Sequence, residues 1–400
     1  MTMTSLDPSA GGTAGRSMRG RVPVFSPQLK GEEFDVVARN LEMIVTEGSH
    51  DAATISMIST SLTTTDGIVD SPISFYYGAP PRTELFQGYV ASVTDEQQAA
   101  SQLTFTLSVL GPSKVMFEGK PRFFTNRTAT AVAGDLVNNA GLGAGGHSHT
   151  HLWGSLAQTD ESDWTMITNL AKRIGWSVYP RYGVVQIIDP LKVFREVGPY
   201  CRLVSGQSSI GLGTTDRTLI DFSSQKMSEM VKDNLGIKFG YFTTGNEAQT
   251  ITQSGDFAGF VFESTQLIRD QVEAQVFVDA WQTRADGWAE SGVARIWGDA
   301  DIWPGMCVEV VTAATKYFQP EGDGKWFVRA VGHNATDQQY QTVLFLTRPG
   351  KDPTPGFTET PHKPFWEQQD PPTGRPSLSL DTDKKRWISS WNDPRLRGLI

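Results

Sequence analysis

Residues 160–190 narrow the possible folds of this chain more than any other stretch, because a helix start, an apolar stripe, a glycine stop and a hairpin follow one another there. Asp160 or Ser162 can accept the amide hydrogens left over in a first helical turn, and the nearby acids suit the positive end of the helix dipole. Trp164, Ile167, Leu170, Ala171 and Ile174 recur at three- and four-residue steps and share one face. Gly175 stops the helix by taking a left-handed conformation that a side chain would oppose. Trp176, Val178 and Tyr179 then lead into Arg181-Tyr182-Gly183, and Val184, Val185, Ile187 and Ile188 return as a strand ended by Asp189-Pro190. On both sides the chain is mostly β, so the fold must carry one small mixed unit between two β-rich segments.

The preceding segment supports this. Leu41–Val45 and Ala53–Ile58 flank the turn-like Glu47-Gly48-Ser49-His50-Asp51 and read as a hairpin. Ile73–Tyr77 and Leu85–Val93 follow as strands, and Leu103–Val109 alternates apolar and polar residues strictly. Strands so short and regularly spaced point to a barrel or sandwich. Ala129, Val132, Ala133, Leu136, Val137 and Ala140 then switch to helical spacing over residues 128–141, and glycines at 141, 143, 145 and 146 read as a linker. Beyond Cys201, strands are expected at 237–243, 259–262, 294–298, 306–311, 326–331 and 342–346, with a third helix over 269–290 carrying Val272, Val276, Phe277, Ala280, Trp281 and Trp288. The chain divides accordingly into a flexible arm (1–20), a β domain (21–118), an α+β insertion (119–198), a second β domain (199–350) and a proline-rich, extended docking tail (351–400). Four hundred residues exceed what one core usually serves, which agrees with several domains.

Charge and composition exclude several functions. A net charge of −9 is wrong for a chain that grips nucleic acid through its phosphates. Two cysteines, Cys201 and Cys307, with no partner motif make neither a disulfide framework nor a cysteine zinc site. No apolar run reaches the ~20 residues that span a bilayer, and the first residues lack the apolar core of a secretory signal.

Catalytic motifs are scarce. His147, His149 and His151 would share a face on a strand and are the one metal candidate, but they follow a glycine-rich run with no adjacent carboxylate to orient the rings. Gly206-Gln207-Ser208-Ser209 lacks the second glycine of a nucleophile elbow, and no acid pair can be singled out for glycoside hydrolysis. Arg295 and Trp297 read as structural strand residues. No catalytic residue and no cofactor is assigned.

Several motifs in order resemble a known family. Phe86-Gln87-Gly88-Tyr89-Val90, the strand end Leu110-Gly111-Pro112-Ser113 and the helix after Thr128 are similar to the opening half of phage baseplate-hub proteins, which also supply the base of the type VI secretion spike. Gln158, Ser162-Asp163-Trp164, the run Leu170–Trp176, Gly183-Val184-Val185 and Asp189-Pro190 continue it. Glu273-Ala274, Gly298–Met306, Gly324–Val328, His333, Tyr340 and Leu344 match the closing segment, so the resemblance covers about residues 40–350. The 210–265 region and the 351–400 tail depart from it; the tail and the second half look closest to minor tail proteins of phages with actinobacterial hosts.

The resemblance implies a mainly β fold with two tube-type antiparallel β-barrel domains flanking the α+β insertion. It implies a homotrimer whose six barrels adapt a six-fold tail tube to a three-fold tip, enclosing the genome-ejection channel of a virion assembled from subunits made in the host cytoplasm. The implied partners are the tail tube or distal tail ring, the tape-measure protein, and tip, fibre or spike proteins engaged in host attachment. DNA would pass without specific binding. Two rival readings from other classes are a tail-associated cell-wall hydrolase and a carbohydrate-binding receptor-recognition β-protein using exposed tryptophans.

Overall fold

The computed structural model describes residues 25–29, 32–33, 36–59, 67–77, 83–99, 102–205, 215–226, 236–242, 248–252, 261–264, 272–273, 276–277, 279–280, 284, 290–312, 323–336, 339–349, 378–381 and 386–389. The arm expected at 1–20 lies outside these residues, as does most of the 351–400 tail.

The first module is built from β1 (Phe25–Leu29), β2 (Glu32–Glu33), β3 (Val36–Thr46), β4 (Ala52–Ser59), β5 (Pro72–Tyr77), β6 (Thr83–Ala99) and β7 (Gln102–Leu110). In β7 the alternation does what its sequence requires: Leu103, Phe105, Leu107 and Val109 are all buried on one face. Each such side chain contributes roughly 1.5–3 kcal/mol on leaving water.

A 3-10 turn, Pro112–Met116, leads into β8 (Arg122–Thr128), α1 (Ala129–Asn139), β9 (Gly143–Gly146), β10 (Leu152–Gln158), α2 (Asp163–Arg173), β11 (Ser177–Arg181), β12 (Val184–Ile188) and α3 (Pro190–Glu196). Thr128 caps α1 by accepting from the Ala131 amide, and Ser162 caps α2 by accepting from that of Thr165. The helix stripes close a core of their own, in which Val132, Leu136, Ile167 and Leu170 are buried with Trp153 and Val185.

Two features differ from the sequence reading. Asp189-Pro190 starts a helix as well as ending a strand: the Asp189 carboxylate accepts from the amides of Leu191 and Lys192, and proline is at home in a first turn. The glycine run is not a linker but a strand, β9, parallel to β12. Glycine is needed there for close approach. A Cβ on Gly146, whose φ is +128°, would lie 1.8 Å from the Ile187 carbonyl oxygen.

The second module contains β13 (Cys201–Ser205), β14 (Asp216–Lys226), then a separate sheet of β15 (Gly236–Phe242), β16 (Ala248–Thr252) and β17 (Val261–Ser264), and finally β18 (Glu290–Trp297), β19 (Cys307–Val311), β20 (Gly324–Thr336) and β21 (Tyr340–Arg348). A hairpin of β22 (Leu378–Asp381) and β23 (Arg386–Ser389) is described within the tail. The helix expected over 269–290 is seen at residues 272–273, 276–277, 279–280 and 284, and Glu290 already belongs to β18. Phe277 and Ala280 are buried, whereas Val272 is exposed and lies off the packed face.

The large sheet runs β19-β13-β14-β18-β21-β20-β3-β4-β7-β6-β5-β1-β2, and β19 also pairs with β20. The second module is therefore a closed six-stranded barrel. In the first, β1 comes back alongside β3, with no ladder between them among the described residues.

The two modules repeat one another. In chain order β3, β4, β5, β6 and β7 correspond to β14, β18, β19, β20 and β21, and both sets are arranged, third strand first, as third-fourth-fifth-second-first, all antiparallel. The registers also agree. Pro72 opposite Tyr89 corresponds to Cys307 opposite Phe327, and Ala38 opposite Met57 to Leu219 opposite Ile296. Two bulges coincide: the ladder skips Arg39 in β3 and Ile220 in β14, and Ala91 in β6 and Arg329 in β20, whereas the shifts at Phe75/Tyr76 and Thr94/Gln97 belong to the first module alone. No similarity of residues signals this repeat; hydrogen bonding does.

The tight β9 packing yields a test. Gly146→Ala is expected to cost about 2–4 kcal/mol, because the backbone carbonyl it meets cannot rotate away. A urea midpoint unchanged within error would show that β9 does not sit against β12 in this way.

Candidate assembly surface

The feature with functional content is the junction between the modules. Past its bulge at Arg329, β20 leaves β19 and pairs with β3, from Ala330 opposite Thr46 to Thr336 opposite Asn40. Bulges bend a strand and redirect its edge, which lets β20 serve two neighbours in turn. Met43, Val45, Val331 and Ala335 are buried along this seam, and one apolar core runs continuously through both modules.

The turn at the end of β3 fastens the insertion to the same seam. Glu47 accepts from Ser177 Oγ (3.1 Å), from Arg284 and from Arg329 Nε (3.2 Å), so one carboxylate ties together the first module, the insertion, the helical residue Arg284 and the barrel. Gly48 donates to the Val178 carbonyl (2.8 Å) and accepts from the Trp164 indole (3.0 Å). On the far side, the Gly298–Met306 loop holds the insertion's hairpin. Trp303 is buried with its indole donating to the Ala300 carbonyl (2.9 Å), and Tyr182 and Arg181 pack on its ring at 4.9 and 5.0 Å. Tyr182 and Gly183 both take positive φ, the conformation of a two-residue hairpin turn that follows the strand twist.

His147, His149 and His151 lie in one region, where two of their Nδ1 atoms accept from backbone amides and all three rings pack on tryptophans. His147 Nδ1 accepts from the Asp189 amide (3.0 Å) and His149 Nδ1 from the His151 amide (3.1 Å). Burial lowers the pKa of both His147 and His149, which keeps these rings neutral acceptors. Trp176 lies edge-on to His147 and His149, and Trp153 to His151. Among the described residues no group of three His, Cys, Asp or Glu side chains is arranged to hold a metal. Arg295 pairs across the strands with Asp221 (3.3 Å), and both cysteine thiols are buried and pushed up to about 12. Residues 206–209 lie outside the described residues.

One cluster escaped sequence reasoning because its members are distant in the chain. Ser113 Oγ sits 2.8 Å from His50 Nδ1 and donates to Asp51 Oδ1 at 3.4 Å. It has the composition of a catalytic triad without the geometry. Ser113 is 2% exposed, and Asp51 hydrogen-bonds the serine rather than the imidazole. The cluster instead staples the start of β4 to the end of β7, where the Gly111 amide donates to the Asp51 carbonyl (2.8 Å).

No family model matches the sequence, and no curated protein matches it. Solved structures do. A tail protein from Neisseria meningitidis MC58 superposes with a TM-score of 0.58 at 11% identity, covering 82% of this chain and 98% of that one. The 43 kDa tail protein of prophage MuSo2 from Shewanella oneidensis gives 0.58 at 13%, with the same coverage. The fold is that of phage tail proteins. It extends to the E. coli c3393 type VI secretion component, itself similar to phage T4 tail proteins gp27 and gp5, at a TM-score of 0.52 and 10% identity over 82% of this chain and 79% of that one.

Two predictions follow from the junction and the staple. Glu47→Ala leaves Arg284, Arg329 and Ser177 without their shared acceptor, and should lower stability by about 2 kcal/mol once the half-exposure of Arg329 is allowed for. Chemical denaturation reads this directly. Burial raises the Asp51 carboxyl from 3.8 to about 7, so its contribution is complete below pH 3.8 and is lost as pH climbs through 7. His50 and His333 are lowered from 6.5 to about 4 and act oppositely, losing their contribution as pH falls from 6.5 to 4. Asp51→Asn should therefore gain on the parent between pH 4 and 8, by up to about 4 kcal/mol at 1.36 kcal/mol per pH unit. Parallel melting curves for the two proteins across that range would disprove a buried, protonating Asp51.

Proposed function

We propose that this protein is a non-enzymatic structural component of a phage tail, the hub of a baseplate or tail tip. The carrying observation is the repeat: two modules of identical strand order, joined edge to edge, are a building block for a ring. The tail-protein fold and the order of the sequence motifs support the same reading. In it, residues 21–118 and 199–350 are the tube-type domains, 119–198 the insertion that faces neighbouring proteins, and 351–400 a docking tail. Three copies present six modules, which suits a six-fold tail tube or distal ring on one side and a three-fold tip, spike or fibre assembly on the other. A head-to-tail interface closes into such a ring when its rotation permits.

The net charge of −9 favours a wall that DNA slides past during ejection, and the tape-measure protein would occupy the same channel beforehand. No helix among the described residues is long and apolar enough to cross a membrane. The hydrolase alternative gains no support from His50, Ser113 and Asp51, whose serine is buried.

Gold-labelled antibody against the chain should mark the distal end of the tail in negatively stained particles, and dissociated particles should release it as a trimer. Labelling of the capsid, or particles devoid of the chain, would refute the hub.

A further inference from the structure

The repeat leaves two edges that the intrachain junction does not use. β3 past its bulge pairs with β20 past its bulge. Their counterparts are β14 past Ile220 and β6 past Ala91. In each, the stretch before the bulge has neighbours on both sides, β13 and β18 for β14, and β5 and β7 for β6. Beyond it, each keeps a ladder on one side only among the described residues.

Burial shows the difference. Met43 is 2% exposed beneath the junction, but its counterpart Ser224 is exposed; Val331 is fully buried, but its counterpart Val93 is only half-buried. Ile220, at the β14 bulge, stands 38% exposed. Long open edges carrying apolar side chains invite pairing, and proteins cover them or blunt them with charge, proline or shortness. Neither edge is short and neither contains proline; charge is present beyond each bulge, at Asp95 and Glu96 on β6 and at Asp221 and Lys226 on β14.

We infer that the open edge of β6 in one copy pairs antiparallel with the open edge of β14 in a second copy of this chain. The occupant is a second copy because the chain itself shows what fits: the same two strand positions, with bulges at matching points and the same register as far as Thr94, already pair at β20 and β3. Transferring that register places Val93 opposite Lys226 and Thr94 opposite Gln225. One edge is offered by each module, so the contact is head-to-tail and every copy both gives and receives it. This deepens the hub reading and rests on it for the closure of the ring, but not for the pairing itself.

The test uses two full-length variants, Thr94→Cys and Gln225→Cys, mixed and treated with a short bis-thiol reagent. Opposed residues on antiparallel strands hold their Cβ atoms about 4.5–5.5 Å apart, within such a reagent's span. Cys201 and Cys307 are buried with raised pKa values and do not compete. The mixture should shift from one chain mass to two, whereas Thr94→Cys mixed with Phe123→Cys should not. A chain carrying both Thr94→Cys and Gln225→Cys should build a ladder that ends at the number of copies in the ring. Association by mass without the cross-link overturns the β6–β14 pairing and leaves the hub reading intact. A chain that neither associates nor cross-links at any concentration also overturns the pairing. Failure of tail labelling in particles refutes the hub whatever the cross-link shows.

Discussion

The antiparallel seam between β20 and β3 is the contact on which the rest of the molecule depends. It joins strands almost three hundred positions apart in sequence and makes one sheet of two modules. A backbone ladder fixes orientation as side-chain packing alone does not, because sliding by one residue would turn Met43 and Val45 out and Ile44 in. The seam is possible only because a bulge at Arg329 releases β20 from β19 at the point where β3 is waiting. The same residue then reaches back to Glu47, so the strand's change of partner and the attachment of the insertion meet at one carboxylate.

The insertion is held at both ends rather than suspended from a linker. The β3–β4 turn grips α2 and β11 through Gly48, Glu47 and the Trp164 indole, while Trp303 receives Tyr182 and Arg181. Beneath it, α3 lays Val193 and Phe194 on Cys307 and Phe327, and Lys325 donates to the Phe194 carbonyl from inside this cluster. Groups whose pKa burial shifts, among them Asp51, His333 and Lys325, lie where separate segments meet. Perturbed pKa values mark catalytic sites in enzymes, yet structural networks produce them equally. Here the buried groups link segments of the chain.

Much of the local structure is legible in the sequence. Leu103 to Val109 alternate because one side faces a core, and Trp164 to Ile174 step by threes and fours because a helix buries one stripe. The α3 start was also written in Asp189-Pro190, but the pair reads equally as a strand stop. The glycines before His147 misled for a sharper reason. Glycine-rich runs usually mark freedom, and only the position of the Ile187 carbonyl reveals that here they mark closeness. The histidine triplet has ligand spacing, yet the Asp189 amide takes His147 Nδ1 and the rings pack on Trp176 and Trp153.

Periodicity, caps and turn residues are properties of neighbours in the chain, so the sequence by itself determined the β-rich character, the helices α1 and α2, and the hairpin at Arg181–Val184. The repeat of the modules, the Glu47 joint and the edges of β6 and β14 that lack a second ladder among the described residues were decided only in three dimensions. Hydrogen-bond registers belong to the backbone, which every residue but proline shares. Two halves can therefore fold alike, and pair with each other, while their side chains retain no visible trace of it.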